Sequence, residues 1–248
     1  MARAIGPQGA SGSVAFETFY SIGWFQRSPL LAPIRILSLE AGGERISAAL
    51  FESGCCVAEI FEAARQRQTE RLAPMVKELL ETVAWSAASL NVISAGRGPG
   101  SFTGLRSSLA LGAGLSFGTR AKLVGINTLE AWAQASGMTQ VAVALDGRRG
   151  QVYFGRFDKQ NGDWKPLEVP ALMDVDEAWS RVGTFALSSD LDGALVPKNL
   201  RQVPSPQGAA LAVAVGQLTQ QQAQAWEPLY LRRPEAEILW EKLHPKAK

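Results

Sequence analysis

Three short β-rich runs separated by glycine turns precede any helical periodicity in this chain, and that order restricts its fold more than any other feature. Ile34–Leu39 ends at Glu40-Ala41-Gly42-Gly43, and Arg45–Phe51 ends at Glu52-Ser53-Gly54. In Cys55–Phe61 the residues Val57, Glu59 and Phe61 oppose Ala58, Ile60 and Glu62. Runs of period two joined by tight turns form an antiparallel meander.

The period then changes. Over Thr69–Ala84 the residues Leu72, Met75, Val76, Leu79, Leu80 and Val83 share one helical face, with Lys77, Glu78 and Glu81 opposite. Thr69 is the expected N-cap, and Pro74 lies near the helix start. Asn91–Ala95 reads as a buried strand, Thr103–Gly118 as a second helix, Leu123–Ile126 as a strand and Thr128–Ser136 as a third helix. Parallel strands require helical crossovers, so βββαβαβα predicts a mixed five-stranded sheet of the ribonuclease-H-like kind.

A new hairpin, Val141–Leu145 and Val152–Phe157, opens a second and smaller α/β domain from about residue 139. Beyond it the sequence predicts a strand at Lys165–Val169, a helix near Val175–Val182, a strand at Thr184–Ser188 and a helix near Gln207–Gln217. The expected division is a flexible N-terminal extension over 1–33, a ribonuclease-H-like domain over 34–138 and a domain over 139–248 whose tail packs back on the first. The extension carries only Arg3, Glu17 and Arg27 as charges, beside Phe16, Phe19, Tyr20, Trp24 and Phe25. Its apolar residues are too interrupted for a secretory signal, and no long uncharged apolar run predicts a membrane span.

Composition excludes several chemistries. The single histidine, His244, lies near the C-terminus, so Ser-His-Asp and Cys-His sites and histidine metal motifs are not expected. Cys55 and Cys56 are adjacent, a spacing that disfavours a bridge, and read as small strand residues in a reducing compartment. With 25 Lys and Arg against 23 Asp and Glu, the bulk charge provides no strong field for nucleic acid.

Two segments carry more specific information. Gly96-Arg97-Gly98-Pro99-Gly100-Ser101-Phe102-Thr103-Gly104 runs from a strand into a helix, with Ser101 and Thr103 placed to cap it. Such a loop either makes a tight, closely packed turn or gathers N–H groups into a phosphate or nucleotide site. It matches neither GxxxxGK[ST] nor GxGxxG. The helix that follows has thirteen uncharged residues between Arg106 and Arg120. Phe102, Leu105 and Leu109 lie on one side and Leu111 and Leu115 on nearly the opposite one, so cover is expected on both, from the second domain or from another protein. Burying two leucines contributes roughly 3–6 kcal/mol before entropy costs, and Ala110, Gly112, Ala113, Gly114 and Gly118 permit close approach of another helix.

The stretch Gly96–Arg106 with the following small-residue helix and Gly125-Ile126-Asn127-Thr128-Leu129 resembles the signature of the TsaB (YeaZ-type) family of tRNA threonylcarbamoyladenosine biosynthesis proteins. Gln68–Val76, Asp146–Tyr153 and Glu227-Pro228-Leu229-Tyr230-Leu231-Arg232 resemble further family motifs, and the likeness covers about residues 34–240. It implies two ribonuclease-H-like domains of the actin/hexokinase/Hsp70 (ASKHA) superfold in a cytoplasmic, non-catalytic subunit of t6A37 biosynthesis. In that family TsaD carries the metal and the active site, and transfers the threonylcarbamoyl group to tRNA. The resemblance implies pairing with TsaD through N-terminal-domain helices, docking of the ATPase TsaE, a homodimer when alone, contact with tRNA through the complex and no membrane.

On this chain the expected partner surface is Leu72, Met75, Leu79, Arg106, Leu111 and Leu115. ATP or ADP is expected only at a joint surface with partner subunits. The chain departs from the family at Leu39-Glu40-Ala41, where Leu-Asp-Thr/Ser is common, and in Arg65-Gln66-Arg67-Gln68, where a histidine is often found.

Two other readings stay open. An independent phosphoryl-transfer enzyme or glycoprotease-like peptidase would draw on the glycine loop, with Glu40 and Asp146 as magnesium carboxylates in the phosphoryl-transfer case. Direct tRNA binding would draw on Arg65, Arg67, Arg71 and Arg97, residues that otherwise read as solvated surface.

Overall fold

A computed structural model describes residues 3–4, 32–43, 45–63, 67–206, 210–221, 226–232, 240 and 243–244. The expected extension therefore lies almost wholly outside the described residues, as do Arg65 and the start of the last expected helix.

The meander forms as expected. β2 (Arg35–Glu40) pairs antiparallel with β3 (Arg45–Glu52), and β3 with β4 (Cys55–Ala63). β5 (Val92–Gly96) joins the other edge of β2 in parallel, and β6 (Lys122–Ile126) follows β5. A short strand unforeseen from sequence, β1 (Arg3–Ala4), lies antiparallel on β4. Counting from β2, the strand order is third, second, first, fourth, fifth, the ribonuclease-H-like order, and the central strands are apolar because both faces are covered.

α1 (Gln68–Thr82) and α2 (Phe102–Thr119) lie together and pack on the sheet through a shared cluster that includes Leu37, Ile46, Leu50, Ile60, Leu72, Met75, Leu79 and Leu109. Arg67, not Thr69, is the N-cap of α1 and makes no side-chain capping bond. Thr69 sits inside the first turn, where its hydroxyl meets that of Ser107 at 3.0 Å and ties α1 to α2.

The second unit repeats the order. β7 (Gln140–Arg148) and β8 (Gln151–Gln160) form the hairpin, and β11 (Ala186–Ser189) lies parallel to β7. The outer edge of β8 is shared by β10 (Ala171–Asp174), opposite Gln151–Phe154, and β9 (Asp163–Pro166), opposite Phe157–Gln160. A parallel bridge from Leu187 to Gln202 occupies the fifth position. The expected strand at Lys165–Val169 is thus replaced by two four-residue strands, each too short for alternation to mark. α4 (Val175–Val182) packs on this sheet.

α3 (Thr128–Ala135) and α5 (Ala210–Gln221) contact one another, α3 beside β7 and α5 on β2 and β3. Ala212 reaches Ile36, Ala49 and Phe51, and Ser38 Oγ donates to the Ala212 carbonyl at 2.7 Å. A side chain at Gly216 would overlap the Phe51 ring. One apolar cluster runs from Val124 and Ile126 through Leu129 and Trp132 to Val141, Phe157 and Val215. Its polar margin is paired: Gln134 Oε1 accepts from Lys159 Nζ and Trp164 Nε1, both at 2.9 Å, and Gln134 Nε2 donates to Gln217 Oε1 at 2.9 Å. These are α/β units of the expected class, with interior helices joining the two sheets.

Candidate functional site

The glycine loop is built from contacts that exclude side chains. At the carboxyl end of β2, Glu40 turns its carboxyl inward and is buried. Its Oε1 accepts from Gly42 N at 2.7 Å, and its Oε2 accepts from Thr128 Oγ1 at 3.3 Å. Thr128 Oγ1 in turn accepts from Gly98 N at 3.2 Å, and Thr128 N donates to the Gly98 carbonyl at 2.9 Å. Burial pushes the Glu40 pKa above its ordinary value, against the hydrogen bonds from Gly42, Thr128 and Ala41 that pull it down.

All four loop glycines face oxygens of the same chain. A Cβ at Gly96 would overlap the Glu40 carboxyl, and one at Gly104 would overlap the Ala41 carbonyl. One at Gly100 would sit 2.7 Å from the Gly42 carbonyl oxygen. At Gly98, whose φ of +106° already favours glycine, it would sit 2.8 Å from the Leu229 carbonyl oxygen.

Several loop amides are used internally as well. Arg97 N donates to the Ile126 carbonyl at 2.8 Å, Ser101 N to the Gly42 carbonyl at 2.7 Å and Gly104 N to Ser101 Oγ at 3.3 Å. Ser101 is therefore the N-cap of α2, while the Thr103 carbonyl accepts from Ser107 Oγ at 2.8 Å. Of the two sequence readings, the geometry supports the tight packing turn.

The segment 226–232 crosses this loop and reaches the second unit. Leu229 N donates to the Arg97 carbonyl at 2.7 Å, and Arg97 Nη1 donates to the Glu227 carbonyl at 3.4 Å. Tyr230 stands beside Phe102 with ring centroids 5.5 Å apart, and the Arg106 guanidinium lies 4.1 Å from the centre of the Phe102 ring. Leu231 packs on the interior cluster, and Arg232 Nη2 donates to Gln151 Oε1 at 2.6 Å on the β7–β8 hairpin. Sequence reasoning found this segment as a motif but not its contacts, whose hydrogen bonds join residues 81 to 132 positions apart.

The residues expected on a partner surface differ in their exposure. Leu72, Met75 and Leu79 are interior, holding α1 on its sheet, and have no surface to offer a partner. Leu111 and Leu115 are half-buried at the margin of the same cluster, which covers part of each side chain. Arg106 is exposed, as are Thr103, Ala110, Gly114, Phe117 and Gly118. At helical spacing these form one outward face of α2 that has no charge beyond Arg106, and Phe117 on it is 93% exposed. Sequence reasoning missed this face because a helix with thirteen uncharged residues after Arg106 has no charged side to orient it.

The remaining candidates fall into structural roles. Asp146 Oδ1 accepts from Arg148 N at 2.7 Å, which shapes the hairpin turn. Arg67 pairs with Glu70, and Arg71 with Glu62, whose pKa is lowered by that hydrogen bond. Cys55 and Cys56 are free; burial, with Glu59 nearby, pushes the Cys56 thiol up to about 12, far from an activated thiolate. Among the described residues no group of three His, Cys, Asp or Glu is placed to hold a metal ion, and no helix is long and apolar enough to cross a membrane.

Comparison with known proteins places these features. The model of the family described as TsaD, tRNA N6-adenosine threonylcarbamoyltransferase, matches residues 60–185. The tRNA threonylcarbamoyladenosine biosynthesis protein TsaB of Escherichia coli is 36% identical over 145 residues, 56% of this chain and 62% of that protein. The match to the TsaB of Haemophilus influenzae is 34% identical and covers 50% of this chain and 53% of that protein. The chain thus spans less than two thirds of the length of these relatives. An uncharacterized protein of Mycobacterium tuberculosis is 33% identical over 179 residues, 68% of this chain and 77% of its own length. A Pseudomonas aeruginosa crystal structure, of an uncharacterized protein with similarity to peptidase YEAZ, superimposes with a TM-score of 0.67 at 25% identity. It covers 80% of this chain and 100% of that one.

Proposed function

The chain belongs to the TsaD threonylcarbamoyltransferase family as a TsaB (YeaZ) member, and from that premise we propose that it is a non-catalytic subunit of tRNA t6A37 biosynthesis. It scaffolds and activates a TsaD-type transferase through the outward face of α2, pairs with a second copy through the same face when alone, and gives the TsaE-type ATPase a docking surface on the pair. It meets tRNA, and any ATP or ADP, only through the assembled complex.

The observation that carries this reading is the α2 face itself. A surface helix ordinarily keeps charged or polar residues toward water. Here Ala110, Gly114, Phe117 and Gly118 face outward, and the space beside Gly114 and Gly118 is open. Small residues beside one large aromatic let a partner helix approach closely and bury the ring, the pattern of an interface anchor.

The glycine loop supports the non-catalytic part of the reading. Phosphoryl transfer needs carboxylates that reach a phosphate-bound metal, and Glu40 is instead turned inward onto the chain's own amide and hydroxyl donors.

The test is co-purification with the TsaD-type transferase and reconstituted threonylcarbamoylation of tRNA. Phe117→Asp and Gly114→Arg are expected to lose the partner and the stimulation together while the chain stays folded. Retention of both by both variants would remove this face from the interface.

A further inference from the structure

We infer that the space beneath the glycine loop is a carboxyl-binding pocket, and that the chain itself supplies the occupant, the carboxyl group of Glu40.

The groups around the Glu40 oxygens are donors. Gly42 N–H reaches Oε1, Thr128 O–H reaches Oε2, and Gly98 N–H feeds Thr128 from behind. These donors meet both carboxyl oxygens and are assembled from the turn after β2 and the start of α3. The side chain is shielded from water. The pocket's wall is the bare face of Gly96, which no other residue type would leave open. Elsewhere in the loop the chain's own carbonyls stand against the glycines, Leu229 at Gly98, Gly42 at Gly100 and Ala41 at Gly104. The space between Glu40 and Gly96 is therefore filled from within by the chain's own carboxyl.

Removing the carboxyl without refilling the space leaves the Gly42 and Thr128 donors unpaired in a cavity of carboxylate size. A small carboxylate of that size then binds and restores what was lost, by mass action on the folded state.

The test is chemical rescue of the full chain by formate, with chloride at matched ionic strength as the control. Glu40→Ala is expected to melt below the parent and to gain a rise in Tm that grows with the logarithm of formate concentration above the dissociation constant, about 4 °C at ten times that constant. The parent and Glu40→Gln, whose pockets stay filled, are expected to show no formate-specific shift. Line broadening of 13C-formate by Glu40→Ala alone reports occupancy directly. If Glu40→Ala does not fold in plain buffer, formate is expected to recover the fold. A folded Glu40→Ala that ignores formate, an unfolded one that formate does not recover, or a parent that responds as strongly as the variant would each overturn the inference.

Discussion

Glu40 and Gly96 end neighbouring parallel strands, and the carboxyl of one fills the volume that a side chain on the other would need. Their coupling is testable by a double-mutant cycle. Gly96→Ala is expected to cost about 1–3 kcal/mol, the range for overpacking a dense interior. In a Glu40→Ala background that cost falls, because the obstructing group is gone. Urea unfolding of the four chains measures the interaction; additive costs would mean that the two side chains do not share the space.

The same burial gives Glu40 a pH signature. Its pKa in the folded chain is raised above the unfolded value, so the folded state binds more protons between the two. Its contribution to stability is fully present below the unfolded pKa and is lost as pH rises through the folded one. Glu40→Gln keeps the shape without the ionisation. Relative to the parent, that variant is expected to gain stability steadily from about pH 4.5 upward until the folded pKa is passed. Unfolding curves across pH 4 to 8 that stay parallel would contradict this.

Ser101 begins α2 by capping it. Ser101→Ala removes the acceptor for Gly104 N and is expected to cost about 0.5–2 kcal/mol. Since Ser101 N still bonds to the Gly42 carbonyl, the loop path should persist. Faster amide exchange confined to the first turn of α2 is the expected readout, and a loss spread through the loop would show that the hydroxyl holds more than the cap.

Much of this was legible along the chain because it depends on neighbours. The change from period two to helical period at α1 gave the order of elements, and the glycine turn gave the position of the β5–α2 loop. What could not be read depends on distance in sequence. Whether the glycine loop holds an anion or packs on itself turns on Glu40, Thr128 and Leu229, which come from three separate parts of the chain. That α5 covers β2 and β3 rests on Ala212 reaching Ser38, a pairing without local signal. α2 has no charge after Arg106, so its sequence offered Leu111 and Leu115 as readily as Phe117, and only packing shows which side the core takes. Thr69 has the right chemistry for a cap but is the second residue of the helix, where Ser107 engages it instead.

Leu111 and Phe117, both large and apolar on one helix, should therefore separate stability from association. Leu111→Asp places a charge at the margin of the core and is expected to destabilise the chain by about 2–4 kcal/mol. Phe117→Asp alters a ring that touches little of its own chain and is expected to change stability by about 0.5 kcal/mol or less.

The most direct measurement of the central claim is the affinity of the Phe117→Asp chain for the TsaD-type transferase, by titration calorimetry, with its fold checked by circular dichroism. The account predicts a native spectrum with binding weakened at least about thirtyfold, the loss of a roughly 2 kcal/mol anchor, and with stimulation of threonylcarbamoylation lost alongside. A native spectrum with undiminished affinity and stimulation would contradict it.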